Sequence, residues 1–208
     1  MGTEVYRKPV TVTPCFTGRF AVHLRGMCER LLVVSDTHGS VNALAAVLSL
    51  AKELEPAAAA FLGDGLGDVE AACEIAGFAC RWHKVKGNND FGLRGGEAET
   101  FELGGHRFFI CHGHRHGIYG GPELLAAAAR NVGAGTVLFG HTHVPSLDEA
   151  DGLVFVNPGS VGSPRSAVGA TFAVIECTPG QPPRPLFRGL TPAGTLTPVP
   201  VERAWIRR

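Results

Sequence analysis

Residues 31–40, Leu-Leu-Val-Val-Ser-Asp-Thr-His-Gly-Ser, decide how this chain folds. The four apolar residues form a short continuous run that is typical of a buried parallel strand. A helix is predicted at 41–54, with apolar residues at positions 41, 44, 47, 48, 51 and 54. Asp36 and His38 therefore lie at the carboxyl end of a strand, where open α/β sheets bind ligands. An Asp at this place is also often only a helix cap, so the pair alone is not specific.

The same strand-then-helix pattern continues along the chain. Helices are predicted at 68–76 and 122–132, and Gly104-Gly105 between two apolar runs indicates a hairpin. Strands are predicted at 57–62, 80–86, 99–103, 107–111, 136–139, 153–156 and 170–177. Early alternation of strand and helix, followed mostly by strands, predicts an α/β protein with layers around two sheets.

The ends of the chain differ from its centre. Residues 1–26 carry Pro and Gly with weak alternation, and we interpret them as an extension outside the core. Residues 27–208 are predicted to form a single domain, since a chain of 208 residues is long enough for one domain of ordinary size. From about residue 178 the chain is rich in Pro, which favours edge strands or a loose tail.

The composition excludes several classes of protein. Hydrophobic residues make up 45% and the formal net charge is zero, so we expect a globular protein that binds no nucleic acid. No apolar run approaches the ~20 residues of a membrane span, and no secretion signal is expected. The six cysteines form no Cys-x-x-Cys pair and are interpreted as reduced thiols of a cytoplasmic protein.

Polar residues recur where the predicted strands end, usually beside Gly. They are Asp36, Asp64, Asn88, His112, His141 and Asn157. In a shared sheet these side chains would converge on one crevice. Asp, His and Asn are hard or borderline ligands for divalent metals, and no Cys joins them. The pattern therefore favours a hydrolytic metal centre over a structural zinc site.

Five motifs stand in the order and spacing of the calcineurin-like metallophosphoesterases, which this sequence resembles over about residues 30–177. They are Asp36-x-His38, Gly63-Asp64, Gly87-Asn88-x-Asp90, His112-Gly-His114 and Gly140-His141-x-His143. Asn157-Pro-Gly-Ser160 is similar to the small microbial phosphodiesterase branch. The resemblance implies a two-sheet β-sandwich flanked by helices, a four-layer αββα fold, with two metals at the sheet ends.

The resemblance also implies a role for each motif residue. One metal would be bound by Asp36, His38 and His143; the other by Asn88, His112 and His141; Asp64 would bridge them. Two carboxylates against two divalent ions leave a net charge of about +2, which can hold hydroxide and phosphate together. Two metals ~3.5–4 Å apart can clamp the attacking and leaving oxygens, with a metal-bound hydroxide as nucleophile. Mn²⁺ is the first choice, with Ni²⁺, Fe²⁺, Zn²⁺ and Mg²⁺ as alternatives.

Other residues near the motifs have less defined roles. Asp90 is a catalytic candidate that would orient a neighbour rather than bind metal. His114 either contacts the substrate phosphate or only lies nearby, and Asn157 is expected to hold a loop. The remaining histidines match no motif and are predicted to lie on the surface; they are His23, His83, His106 and His116.

One residue departs from the family pattern. Many relatives have His at the position of Asn89, where it is thought to act as general acid, and an amide cannot donate a catalytic proton. The sequence thus favours a phosphodiesterase acting on a small phosphoester over a phosphomonoesterase. The alternatives are a non-catalytic scaffold with the same fold, and a nuclease, which the neutral charge disfavours. A homo-oligomer remains open.

Overall fold

A computed structural model describes residues 28–191, 194–201 and 203–205. The predicted extension at 1–26 lies outside the described residues. Strands are β1 Glu29–Val34, β2 Ala58–Phe61, β3 Trp82–Lys84, β4 Ala98–Leu103, β5 His106–Cys111, β6 Thr136–Phe139, β7 Pro145–Ala150, β8 Leu153–Pro158, β9 Thr171–Cys177, β10 Arg184–Leu190 and β11 Leu196–Pro198. Helices are α1 Val41–Ala51, followed by a 3-10 turn Lys52–Leu54, α2 Asp68–Ala76 and α3 Glu123–Asn131.

The first sheet has six strands in the order β11-β10-β9-β1-β2-β3. Strands β1, β2 and β3 run parallel, with Leu31 opposite Ala58 and Ala59 opposite Trp82. Strands β9, β10 and β11 continue the sheet in antiparallel pairs. The parallel half therefore directs the carboxyl ends of three strands to one edge of the sheet.

The second sheet has five strands in the order β4-β5-β6-β8-β7. Its three central strands, β5, β6 and β8, are parallel, and its edge strands β4 and β7 are antiparallel to their neighbours. The hairpin predicted around Gly104-Gly105 is confirmed, because β4 and β5 pair directly across it. This sheet brings a second group of strand ends to the site.

Alternating side chains of β1 show how the layers are built. Leu31 and Val33 pack between the two sheets, whereas Leu32 and Val34 pack under α1 and α2. A third cluster fills the space between the second sheet and α3. The order of layers is therefore helix, sheet, sheet, helix, which confirms the predicted αββα sandwich.

Some details of the fold differ from the predictions. Strand β7 was not predicted, because its sequence Pro-Ser-Leu-Asp-Glu-Ala is polar and it lies at a sheet edge. The surface prediction for His83 is wrong: the side chain is buried, stacks on Phe101 and lies at hydrogen-bond distance from Glu99 (2.5 Å). The Pro-rich segment contributes β10 and β11. Strand β11, with Pro198, lies at the sheet edge as expected, whereas β10 lies inside the sheet between β9 and β11.

Two further features of the described residues concern membrane spans and cysteines. No helix within residues 28–191, 194–201 and 203–205 combines the length and apolarity needed to cross a bilayer. Cys28, Cys73, Cys80, Cys111 and Cys177 are free thiols.

The core between the sheets gives a test of the sandwich. Phe108 of β5 is fully buried there, whereas Phe91 is 84% exposed. Phe108→Ala is expected to lower the free energy of unfolding by about 3–5 kcal/mol, because it leaves a cavity where the two sheets meet. Phe91→Ala, the matched control, is expected to change it by less than about 0.5 kcal/mol. Equal effects in urea titrations of the two variants would contradict this packing.

Candidate metal centre

The predicted ligand residues all lie just beyond strand ends of the two sheets. From the first sheet, Asp36 and His38 follow β1, Asp64 follows β2 and Asn88 follows β3. From the second sheet, His112 directly follows β5, and His141 and His143 follow β6. The packed sheets bring these loops together, so that residues separated by up to 107 positions (36 to 143) share one site.

Five of these residues have an uncommon backbone conformation. The φ angles are 56° for Asp36, 46° for His38, 59° for Asp64, 69° for His141 and 61° for His143. A non-glycine residue in the left-handed region costs about 1–3 kcal/mol and persists where the surroundings impose it. Backbone outliers of this kind are concentrated at functional sites. Here all five belong to predicted metal ligands.

The first group of candidate ligands comprises Asp36, His38 and His143. His143 Nε2 lies 3.2 Å from both Asp36 Oδ1 and His38 Nε2. His143 donates its Nδ1–H to the carbonyl oxygen of Ser163 (2.6 Å), since a carbonyl can only accept. The lone pair of a neutral His143 is therefore on Nε2 and faces the group.

The second group comprises Asp64, His112 and His141, with Asn88 beside it. His112 Nε2 lies 3.1 Å from Asn88 Oδ1, 3.2 Å from His141 Nδ1 and 3.4 Å from Asp64 Oδ2. His112 donates its Nδ1–H to the carbonyl oxygen of Leu62 (2.8 Å). Its Nε2 lone pair is therefore directed at the group, as in the first group.

Asp64 lies between the two groups. Its Oδ2 is 3.4 Å from His112 Nε2 in one group and 3.7 Å from His38 Nε2 in the other. Asp36 Oδ1 is also 4.0 Å from His112 Nε2. Both carboxylates thus contribute negative charge to a shared centre, and Asp64 is placed where it can contact two ions.

The arrangement of donor atoms fits divalent cations. Among the described residues, Asp36 Oδ1 is buried without a hydrogen-bond partner, whereas Asp36 Oδ2 accepts from the Ser35 hydroxyl (2.6 Å) and the His141 backbone N–H (3.1 Å). The facing pair of His112 Nε2 and Asn88 Oδ1 has no proton to share when His112 is neutral. A bound cation would satisfy these acceptors, and oxygen with imidazole nitrogen suits Mn²⁺, Fe²⁺ or Zn²⁺.

The pKa shifts reflect the same concentration of charge. Burial alone would raise the pKa of Asp64, but contact with His112 and the backbone N–H of Asn89 hold it well below its usual value. Burial lowers the pKa of His112, but the carboxylates of Asp64 and Asp36 outweigh it and raise the pKa overall. Contact with Asp36 raises the pKa of His143. These carboxylates stabilise positive charge, whether it is a proton or a metal ion.

Asp90 holds the loops of the site rather than facing its centre. Oδ2 accepts the backbone N–H of Asp64 (2.8 Å) and of Gly87 (2.8 Å), and Oδ1 accepts those of Gly65 (2.9 Å) and Leu66 (2.8 Å). With both oxygens occupied, the carboxylate is not available to a reacting atom. These contacts suit a residue that positions its neighbours, and the role of Asp90 as a catalytic candidate stays a prediction.

Asn89 contacts the carboxylate that lies between the groups. Its backbone N–H donates to Asp64 Oδ1 (2.7 Å), and its amide Nδ2–H donates to Asp64 Oδ2 (2.5 Å). Gly87 makes this approach possible, because a Cβ there would collide with the Asp64 carboxylate. This contact pairs residues 25 positions apart, and no local sequence pattern indicates it.

Two further polar residues fix the remaining ligand loops. Asn157 donates to the carbonyl oxygen of Gly140 (2.9 Å) and to the Thr142 hydroxyl (3.0 Å), on either side of His141, as expected of a loop-holding residue. Asp68, at the start of α2, accepts from the Thr37 hydroxyl (2.5 Å) and the Gly39 backbone N–H (2.9 Å). The sequence analysis missed this contact with the loop after β1, because an Asp in the first turn of a helix is already explained by its favourable interaction with the helix dipole.

His114 lies at the rim of the second group. Its ring centroid is 5.4 Å from that of His112 and 6.2 Å from that of His141, and its Nε2 is 3.7 Å from Glu97 Oε2. Burial and the neighbouring His112 lower the pKa of His114. The residue borders the second donor group without being part of either group.

Comparison with known proteins gives a consistent result. Residues 30–180 match the sequence profile of the calcineurin-like phosphoesterase superfamily domain. A probable metallophosphoesterase of Mycoplasma pneumoniae is 33% identical over 140 residues, 66% of this chain and 82% of that protein. Phosphodiesterase YfcE of Escherichia coli K12 is 27% identical over 168 residues, 71% of this chain and 87% of YfcE. A predicted phosphoesterase from Streptococcus pneumoniae superposes with a TM-score of 0.66 at 27% identity, covering 78% and 90% of the two chains.

A relative of a different kind is also similar. Vacuolar protein sorting-associated protein 29 of Schizosaccharomyces pombe is 38% identical over 82 residues, which is 39% of this chain and 44% of that protein. The similarity therefore extends to a protein whose name describes sorting rather than hydrolysis.

The contacts of Asp90 lead to a prediction. Asp90→Asn replaces one acceptor oxygen by an NH₂ group that faces two backbone N–H groups. The variant is expected to lose about 1–3 kcal/mol of stability and to bind Mn²⁺ at least tenfold more weakly, because both ligand loops move. Thermal unfolding and calorimetric metal titration measure the two effects. Asp151→Asn, in an exposed turn, is the control; an Asp90→Asn protein with the parent's Mn²⁺ affinity would contradict the positioning role.

Proposed function

Because the chain belongs to the calcineurin-like phosphoesterase superfamily, we propose that it is a phosphodiesterase that uses two divalent metal ions. The observation that carries the proposal is the pair of donor groups with Asp64 between them, 3.4 Å from His112 and 3.7 Å from His38. Two-metal hydrolases need two such groups sharing a ligand at a short separation.

Each group has a defined part in holding the ions. Asp36, His38 and His143 would hold one cation, and His112, His141 and Asn88 the other. Asp64 would bind both. The hydrogen bonds from His112 and His143 to backbone carbonyls keep each imidazole in the tautomer that binds metal. Mn²⁺ is proposed as the physiological metal, with Ni²⁺, Fe²⁺, Zn²⁺ and Mg²⁺ as alternatives.

The residues of the chain provide orientation and charge for hydrolysis. When bound, two divalent ions would activate a water molecule and stabilise negative charge on the phosphate and the leaving oxygen. Asp36 and Asp64 neutralise only part of the cations' charge, so the centre attracts an anionic phosphoester. Asp90, Asn157 and Asp68 hold the ligand loops in their strained conformations, which keeps the centre formed before substrate arrives.

Two observations support a diester rather than a monoester as substrate. The similarity to YfcE is a similarity to a protein named a phosphodiesterase. In addition, the Asn89 amide binds Asp64 and offers no acidic proton for a leaving group. Among the residues that the structure describes, His114 is the nearest imidazole outside the donor groups, and we propose that it contacts the substrate phosphate.

The rival function is that of a non-catalytic scaffold, and the one observation on its side is the similarity to a sorting protein. The donor set supports hydrolysis instead, because a binding module has no need for strained histidines around buried carboxylates. The absence of a basic excess supports a small substrate over a nucleic acid. Free thiols at the described cysteines suit the cytoplasm, which we propose as the location.

The proposed activity is tested by metal removal. Protein stripped of metal by chelator is expected to leave bis(p-nitrophenyl) phosphate intact, and added Mn²⁺ is expected to restore hydrolysis. The monoester p-nitrophenyl phosphate should react more slowly. His112→Gln should abolish turnover, whereas His106→Gln, outside the site, should retain it. Turnover that persists after verified metal removal would refute metal dependence, and inactivity of the Mn²⁺-loaded parent toward every ester would favour the scaffold.

The bridging role of Asp64 is tested by metal stoichiometry. Asp64→Ala is expected to weaken both sites, because one carboxylate serves both ions, by about 10–100-fold or more. His38→Ala should weaken only one. Metal analysis at limiting Mn²⁺, with His106→Ala as control, separates the two patterns. An Asp64→Ala protein that binds two metals as tightly as the parent would exclude a bridge.

A further inference from the structure

Tyr119 is a large side chain placed in solvent beside the candidate metal centre. It is 72% exposed, and its ring centroid lies 5.7 Å from that of His141. With so much of its surface in contact with water, it contributes little hydrophobic stabilisation to the fold. Packing therefore does not explain why an aromatic residue stands at this position.

The adjacent residue shows that Tyr119 is held there rather than free to fold inward. Ile118 is 3% exposed and packs into the core between the second sheet and α3. Its carbonyl oxygen accepts the indole N–H of Trp205 (2.7 Å). With Ile118 fixed in the core, the following side chain must lie outside it.

The same anchor connects Tyr119 to the strand that carries a candidate ligand. Trp205 stacks on Phe139, with ring centroids 5.4 Å apart, and Phe139 is the last residue of β6, directly before Gly140-His141. Phe139 and Phe155, which Trp205 meets edge-on, are fully buried. The backbone next to Tyr119 and the strand that precedes the His141 loop thus pack on the same indole, which places Tyr119 beside this loop.

Beyond Tyr119, the surface opens into a groove. The groove has a volume of about 560 Å³ and lies between the start of α3 and β7, with Tyr119, Glu123 and Glu149 among its lining residues. Tyr119 thus lines this groove and also lies against His141 of the candidate metal centre. The ring of Tyr119 therefore lies between the centre and the groove, where a group attached to a bound phosphate can contact it.

On the basis of this geometry, and resting on the proposed phosphodiesterase function, we propose that Tyr119 determines specificity by stacking on a planar aromatic ester group of the substrate. Aromatic rings prefer offset or tilted contacts at centroid distances of about 4.5–7 Å, which an exposed ring can offer. A small alkyl ester has no face for this contact. The substrate class is thus a phosphodiester in which an ester oxygen carries an aromatic ring system.

The test compares the binding of two phosphates that differ only in this group. Calorimetry on the Mn²⁺-loaded protein measures the dissociation constants of phenyl phosphate and methyl phosphate. The parent is expected to bind phenyl phosphate about three- to tenfold more tightly, the size of one aromatic contact. Tyr119→Ala should remove this preference while leaving methyl phosphate binding unchanged, and Tyr119→Phe should retain it. Ile75→Ala, an exposed apolar residue on α2, is the control.

The outcomes separate the inference from the proposed function. Equal binding of the two phosphates by the parent, or an undiminished preference in Tyr119→Ala, would overturn the role of Tyr119. A preference that depends on Tyr119 supports it even if the protein hydrolyses no phosphoester. In that case the failure of hydrolysis refutes only the phosphodiesterase activity.

Discussion

Two buried carboxylates, Asp36 and Asp64, face a common space with the histidines, and the surrounding structure depends on keeping them there. Both are 0–1% exposed, and burying an unpaired carboxylate costs several kcal/mol. Part of this cost is offset by hydrogen-bond donors, Ser35 and the His141 backbone for Asp36 and Asn89 for Asp64. The oxygen of Asp36 that remains unbonded shows where positive charge is needed.

The strained backbone of the ligand loops depends on the rigidity of the sandwich. Five left-handed residues at about 1–3 kcal/mol each amount to a cost that isolated loops could not sustain. Asp90, with four backbone N–H groups on one carboxylate, and Asn157, with bonds on both sides of His141, fix the loops to each other. The core between the sheets fixes their starting points. The site is therefore formed by the fold itself rather than by flexible side chains.

Neither sheet forms the centre alone. The first sheet provides Asp36, His38, Asp64 and Asn88, and the second provides His112, His141 and His143. Each candidate group draws residues from both sheets, so a shift of one sheet against the other would separate the donors of both groups. The same dependence extends to the rim, since Trp205 ties Ile118, and through it Tyr119, to β6 of the second sheet.

The sequence by itself determined the three helices, every strand except the polar edge strand β7, the family, and the identity of the candidate ligands. It could do so because a buried strand that ends in a polar residue beside Gly is a local pattern, visible at Asp36, Asp64 and His141 without any partner. The tertiary structure alone decided the rest. The buried His83 pairs with Glu99, which lies on another strand, and Asp90 connects the loops that follow β2 and β3. Asn89 meets Asp64 only because these two loops lie side by side. The left-handed backbone of the ligands and the exposure of Tyr119 likewise arise from contacts between residues distant in sequence, which no local pattern records.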